Sequence, residues 1–168
     1  YHYDGAGRLI NRILSNGAQT DYTYDNDNRL IGLKNTSANK TGVEHLSYQR
    51  DDVGNITQIT NTVAGKNTSY VYDALYRLTH VDSSVNSEDR SYSYDKVGNR
   101  KTETRSATTY YYCYHATNCS AAPQGNRLIN IRTGSLTGPL HHQFSYDPSG
   151  RVLEKRNGAG SLIYNLQR

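Results

Sequence analysis

The sequence predicts an all-β fold, in which antiparallel hairpins follow one another and wind into a coiled, spiral or solenoid-like sheet. Three observations carry this. A tyrosine–aspartate nonapeptide recurs about every 22 residues across the 168-residue chain. No segment sustains a 3.6-residue apolar period, and Gly, Asn, Asp, Ser and Thr punctuate every stretch. Finally, 16 tyrosines against one phenylalanine and few aliphatic residues suit a pleated, half-buried surface better than a thick core. Tyrosine hydroxyls need partners when buried, so polar contacts should accompany the packing.

The unit is clearest at Tyr92-Ser93-Tyr94-Asp95-Lys96-Val97-Gly98-Asn99-Arg100. Two tyrosines at i and i+2 share one strand face. The aspartate can accept hydrogen bonds from the amides after it, and Gly98 supplies a positive φ for the reversal. Each unit therefore reads as the end of a strand, a turn and the start of a returning strand.

In chain order, the first copy is Tyr1, Tyr3, Asp4 and Gly7, followed by Asn16-Gly17, a strong hairpin signal. The second has Tyr22, Tyr24 and Asp25 and ends in a polar stretch, 35–42, read as a longer exposed loop. The third, Tyr48, Asp51 and Gly54, carries Arg50 where the second tyrosine belongs. The fourth has Tyr70, Tyr72 and Asp73, with Tyr76 at the usual Gly or Asn position. Tyr92, Tyr94, Asp95 and Gly98 form the fifth. The sixth departs most, with His115 for aspartate and an insertion at 116–124 before Gly125-Asn126-Arg127-Leu128. Tyr146, Asp147 and Gly150, after Phe144, restore the pattern, and Tyr164 could open an eighth. The repeats are placed at 1–21, 22–47, 48–69, 70–91, 92–109, 110–143 and 144–168, in one array covering 1–168. At two strands per repeat this gives about fourteen strands, too many for an open twisted sheet without coiling. Leu9, Leu30, Leu78 and Leu128 would share one face, with Ile10, Ile31, Ile129 and Leu153 on the other, so the pattern does not choose an interior face.

The chain opens inside a repeat and contains no methionine, so it is expected to be a piece of a longer polypeptide. No apolar run reaches ten residues, which predicts no membrane segment in this window. The net charge of +4 permits an acidic partner without demanding one.

With the core Y-x-Y-D-x-x-G-R-L or G-N-R at 1–9, 22–30, 92–100 and 144–152, and weaker copies at 48–56, 70–78 and 112–128, the chain resembles the YD-repeat family, also called Rhs repeats. The resemblance covers essentially the whole chain. It implies a structural segment, not an enzyme, of a large secreted or surface-exposed bacterial protein, with teneurins as distant relatives. Family repeats form a β-sheet wound into a hollow shell, which in polymorphic toxins encloses a C-terminal toxin. The partners so implied are the remainder of the same polypeptide and an enclosed effector. Asp147-Pro148-Ser149-Gly150 is similar to that family's self-cleavage D-P-x-G, but it falls in register with the repeat turn and reads as a turn. The alternative is an adhesin or fibre segment whose tyrosine face binds carbohydrate or a protein partner.

Candidate chemistry gives little. Cys113 and Cys119 could form a disulfide stapling the insertion, worth about 2 kcal/mol for so short a loop. They could also remain free thiols. A zinc site with His115, drawing on His141 or His142, would need an uncommon C-x-H-x3-C spacing. Asp25-Asn26-Asp27-Asn28 lacks the glycine and glutamate of a calcium loop, so no metal or cofactor is expected. The acidic pairs Asp51-Asp52 and Glu88-Asp89 lie in polar stretches with no source of pKa perturbation, and catalytic residues are not expected. Arg8, Arg29, Arg77 and Arg151, with Arg100 and Arg127 one position later, should pair with motif aspartates. A tyrosine–arginine surface for nucleic acid is disfavoured by the even spread of charge. Asn-x-Ser/Thr matches at Asn35, Asn39, Asn55, Asn67 and Asn118 follow from composition.

Overall fold

A computed structural model describes residues 1–115, 119 and 125–165. Asn118 and most of the insertion at 116–124 lie outside the described residues. The fold is all-β and antiparallel apart from one turn of 3-10 helix, Asn86–Glu88. The chain divides into two compact units, residues 1–89 and 90–168.

The first unit holds β1 (His2–Tyr3), β2 (Leu9–Ile13), β3 (Gln19–Tyr24), β4 (Leu30–Thr36), β5 (Gly42–Arg50), β6 (Ile56–Asn61), β7 (Lys66–Tyr72) and β8 (Leu78–Ser83). The second holds β9 (Arg90–Tyr94), β10 (Arg100–Arg105), β11 (Thr108–Cys113), β12 (Asn130–Thr133), β13 (Leu140–Tyr146), β14 (Val152–Asn157) and β15 (Leu162–Asn165). Within each unit every strand pairs antiparallel with the next in the chain. Such serial pairing needs no crossover, because turns of a few residues join each pair.

Register settles which residues share a face. In the first unit Tyr22 lies opposite Leu33, Leu33 opposite Leu46, Tyr48 opposite Ile59 and Tyr70 opposite Val81. Motif tyrosines and aliphatic residues thus build one face, with Thr20, Thr68 and Ser83 buried on it. Cross-strand pairs of this kind contribute roughly 0.2–1 kcal/mol each. Leu30 and Leu78 fall on this face, opposite Tyr24 and Tyr72, while Ile31 is exposed. The second unit repeats the arrangement with Tyr92, Glu103, Tyr110 and Tyr112 on the tyrosine face, and with Cys113 and Asn130 paired on the other.

The polar stretch 35–42 is not the long loop its composition suggests. Strand β4 runs on to Thr36, and Ser37 to Thr41 close a tight turn through Ser37 N–H to Thr41 O at 2.8 Å and Lys40 N–H to Ser37 O at 2.9 Å. Asn35 stays in the sheet because Thr20 Oγ1 lies 2.8 Å from its Oδ1 and its own Nδ2 reaches Glu44 at 3.4 Å. Side-chain partners across the ladder offset the low strand propensity of asparagine.

Candidate functional site

Each motif aspartate closes the turn that follows it. Asp4 donates its backbone N–H to Arg8 O at 2.9 Å and accepts from Gly7 N–H at 3.0 Å. Its Oδ1 takes the N–H groups of Ala6 and Arg8 at 3.0 and 2.9 Å, and its Oδ2 takes Arg8 Nε at 2.6 Å. Asp25 with Arg29, Asp73 with Arg77 and Asp147 with Arg151 make the same clamp, each with an Nε to Oδ2 bond of 2.7 Å. At Asp51 and Asp95 the partner is the amide of Asn55 or Asn99, at 2.8 and 2.9 Å. One residue before the clamp partner the backbone turns left-handed, at Gly98 with φ 94° and Gly150 with φ 85°, but also at Asn28 with φ 63° and Tyr76 with φ 59°. A type I turn followed by one left-handed residue is the usual three-residue hairpin loop with a bulge. The register shift beside each of these turns is that bulge.

The clamp keeps the carboxylates charged. Backbone donation from Arg8 followed by the guanidinium bond lowers the Asp4 pKa below the ordinary value, and Asp73 and Asp147 are lowered chiefly by the N–H of Arg77 and Arg151. In Asp51 the Asn55 amide is the main cause. Desolvation opposes the shift at Asp95, yet Asn99 still brings it down. Each of these carboxylates is thus committed to its own turn through both oxygens. The calcium-like start at Asp25 is one of these turns.

A second set of bonds links one repeat to the next. Tyr24 Oη donates to Leu9 O at 2.9 Å, Tyr72 Oη to Ile56 O at 2.8 Å and Tyr146 Oη to Leu128 O at 2.8 Å. In each case the acceptor lies just past the turn of the preceding repeat. Where the third repeat has Arg50 in place of tyrosine, Nη2 of that arginine donates to Leu30 O at 3.2 Å, the equivalent position. At these positions the repeats are joined through hydroxyl rungs, not by the ring-on-ring stacking that a tyrosine-rich face suggests. Arginines add to the link: Arg8 lies 5.0 Å from the Tyr24 ring centre and donates to Asn28 Oδ1 at 2.8 Å, and Arg127 lies 5.9 Å from the Tyr146 ring centre.

At Asp95 the clamp partner is Asn99, and Arg100, one residue on, is engaged elsewhere. It sits between the rings of Tyr92 and Tyr112, at 4.9 and 5.2 Å, and reaches Glu103 at 3.2 Å. Glu103 is 4 % exposed and accepts from Tyr112 Oη at 2.6 Å and Arg105 Nε at 2.7 Å. Burial raises the Glu103 pKa, but Arg105, Tyr112 and Arg100 outweigh it and bring the carboxyl below its ordinary value. Burial, then the bond to Glu103, pushes the Tyr112 phenol up. This cluster escaped the sequence reading. The signal was the period-two pattern of β10, which places Glu103 between tyrosines at 92 and 110 once the register is known.

Cys113 and Cys119 are joined by a disulfide with Cα atoms 4.8 Å apart. Both sulfurs are consumed, so they offer no thiolate to a metal. Among the described residues no helix is long and apolar enough to cross a membrane. Tyr3 in β1 and Tyr1 just before it are largely exposed, and Tyr164 in β15 is partly so.

Comparison with known proteins gives a consistent picture. Residues 3–40 and 50–84 match the RHS Repeat family. No curated protein matches the sequence. Among solved structures, the crystal structure of TcdB2-TccC3-Cdc42 is similar with a TM-score of 0.65 at 17% identity, over 96% of this chain and 11% of that one. The Tc holotoxin pore of Photorhabdus luminescens, carrying a TccC3 mutation, gives 0.63 at 18% identity over 92% and 9%. TcdB2-TccC3 without its hypervariable C-terminal region gives 0.61 at 17% identity over 96% and 11%. The likeness is one of fold, and the chain spans about a tenth of the length of these structures.

Proposed function

We propose, from the premise that residues 3–40 and 50–84 belong to the RHS Repeat family, that this chain is a non-enzymatic structural segment of a β-shell. In this reading the shell encloses or presents a C-terminal toxin or effector of an exported bacterial protein. The observation that carries it is the rung that recurs between successive repeats within each unit, at Tyr24, Tyr72 and Tyr146, and is kept at Arg50 when the tyrosine is lost. Repeats that contact mainly their neighbours can be extended indefinitely, as a wall requires. The motif tyrosines, aspartates and glycines then have structural roles. The motif carboxylates bind the backbone and side chain of their own turns, which supports a wall over a catalyst. Solved structures of similar fold include a toxin pore and a TcdB2-TccC3 complex lacking a hypervariable C-terminal region that the protein otherwise carries, which supports export and a cargo.

Limited proteolysis tests the reading. The polypeptide carrying this chain with whatever its gene encodes beyond it is treated with protease, beside a variant carrying Gly98→Val and Gly150→Val. The downstream region should survive in the parent and be digested in the variant. Equal digestion in both overturns the shell.

A further inference from the structure

Register in the second unit slips between Ile131 and Arg132, so that Ile131 faces His142 while Arg132 faces Leu140. His141 is the extra residue of this bulge, and both imidazoles turn to the tyrosine face. The rings form a row. Tyr110 and His141 centroids are 4.9 Å apart, His141 and His142 4.1 Å, and His142 and Phe144 6.5 Å, with interplanar angles of 60°, 89° and 36°. The Arg105 guanidinium lies 5.0 Å from the Tyr110 ring centre at one end, and Lys155 Nζ lies 5.9 Å from the Phe144 ring centre at the other. His142 Nδ1 is buried with no hydrogen-bond partner.

Charge on this face is unbalanced. Strand β10 contributes Arg100 and Arg105 against Glu103, whose oxygens are already taken by both arginines and Tyr112. Strand β11 adds the phenols of Tyr110 and Tyr112, β12 adds the uncharged Ile131 and Thr133, β14 adds Lys155, and β15 adds Tyr164 opposite it. Lys155 has no ion-pair partner among the described residues.

We propose that the row Tyr110, His141, His142 and Phe144, flanked by Arg105 and Lys155, is a docking strip for an acidic, extended polypeptide segment. Tilted rings present their electropositive edges, which attract carboxylates, and lack the succession of parallel faces that stacked bases require. An extended segment places side chains on one side about every 7 Å, close enough to set a carboxylate beside each cation with an apolar side chain between them. This goes beyond the shell reading and does not depend on it.

A pH signature follows. Burial, then the nearby cations, lowers the pKa of His141, and burial, then His141 and the same cations, lowers that of His142. A partner carboxylate over the pair would reverse part of that effect, so binding takes up protons and tightens as pH falls.

Fluorescence anisotropy of a labelled glutamate–tyrosine copolymer with the full 168-residue chain tests this. Binding is expected to saturate, and to tighten several-fold between about pH 7.5 and about pH 5.5. Lys155→Glu should weaken it about tenfold, whereas Lys101→Glu, the same charge change at an exposed position of β10 outside the row, should leave it nearly unchanged. His141→Gln should flatten the pH dependence, with circular dichroism confirming that each variant is folded. Overturning outcomes are absence of saturable binding, equal loss in the Lys155 and Lys101 variants, unchanged pH dependence in His141→Gln, or stronger capture of an oligothymidylate than of the copolymer.

Discussion

Arg50 Nη2 donates to Leu30 O at 3.2 Å, the place in the preceding repeat that Tyr24, Tyr72 and Tyr146 reach with their hydroxyls in their own repeats. The site has been conserved in geometry while its chemistry changed. Restoring tyrosine at this position should therefore be tolerated. Arg50→Tyr is expected to leave the urea midpoint nearly where it is, whereas Arg50→Leu and Tyr72→Phe should each lose about 1 kcal/mol for the missing hydrogen bond. Arg50→Tyr as costly as Arg50→Leu would show that the rung is incidental.

The left-handed residue of each turn gives predictions of opposite sign. Gly150→Val forces a β-branched residue to a φ of 85° and brings its Cβ to 3.2 Å from Arg127 Nη2, so a loss of about 2 kcal/mol or more is expected. Gly98→Val has the strain without the contact and should lose less. Tyr76→Gly should instead gain about 1 kcal/mol, because Tyr76 sits at φ 59° and the residue is 61% exposed. Thermal melts of the three variants check the order, and a destabilised Tyr76→Gly would contradict the strain.

Acid should unfold the protein in two windows. For His141 and His142 the folded pKa is lowered from 6.5, so the unfolded chain takes up protons first and stability declines as pH falls below 6.5. For the clamping aspartates the folded pKa is lowered from 3.8, so their contribution is complete above that value and is lost as pH falls through the folded values. Asp147→Asn is the informative variant. Asn157 closes a similar turn without charge, its Oδ1 accepting from Ala159 and Ser161 N–H at 3.1 and 2.9 Å. The variant should keep the turn, lose the Arg151 ion pair, and show a shallower fall of Tm in the acid limb. An unchanged slope would separate that carboxylate from acid stability.

What was legible in the sequence is what repeats. Asp4, Asp25, Asp73 and Asp147 each stand four residues before an arginine, and the period alone locates their turns and the strands between them. Single departures were harder. Ser37 to Thr41 reads as loop by composition, yet five residues close a turn through local bonds, and the flanking polar residues find partners only across strands. Glu103 and the His141 bulge depend on cross-strand register, which a one-residue slip reverses and which no linear pattern records. The choice of face was likewise hidden, because Leu30 and Ile31 are equally apolar and only pairing with Tyr24 distinguishes them.

Glu103 is the position where one side chain should matter most. Three donors converge on a carboxylate that is 4 % exposed, and two of them are arginines whose side chains keep 40% and 48% exposure. Glu103→Gln preserves shape but leaves the arginines without a counter-charge and gives Tyr112 Oη a weaker acceptor. A fully buried broken pair would cost about 3–5 kcal/mol, and the exposed guanidinium groups reduce this to roughly 1–3 kcal/mol. Glu103→Leu should cost more than Glu103→Gln, since it also strands the Tyr112 hydroxyl. In the double variant Glu103→Leu with Tyr112→Phe, part of that excess should return, because both partners of the 2.6 Å bond are then apolar. Urea denaturation of the single and double variants measures the coupling. Additive losses would mean that the Glu103–Tyr112 bond contributes nothing beyond its two side chains taken separately.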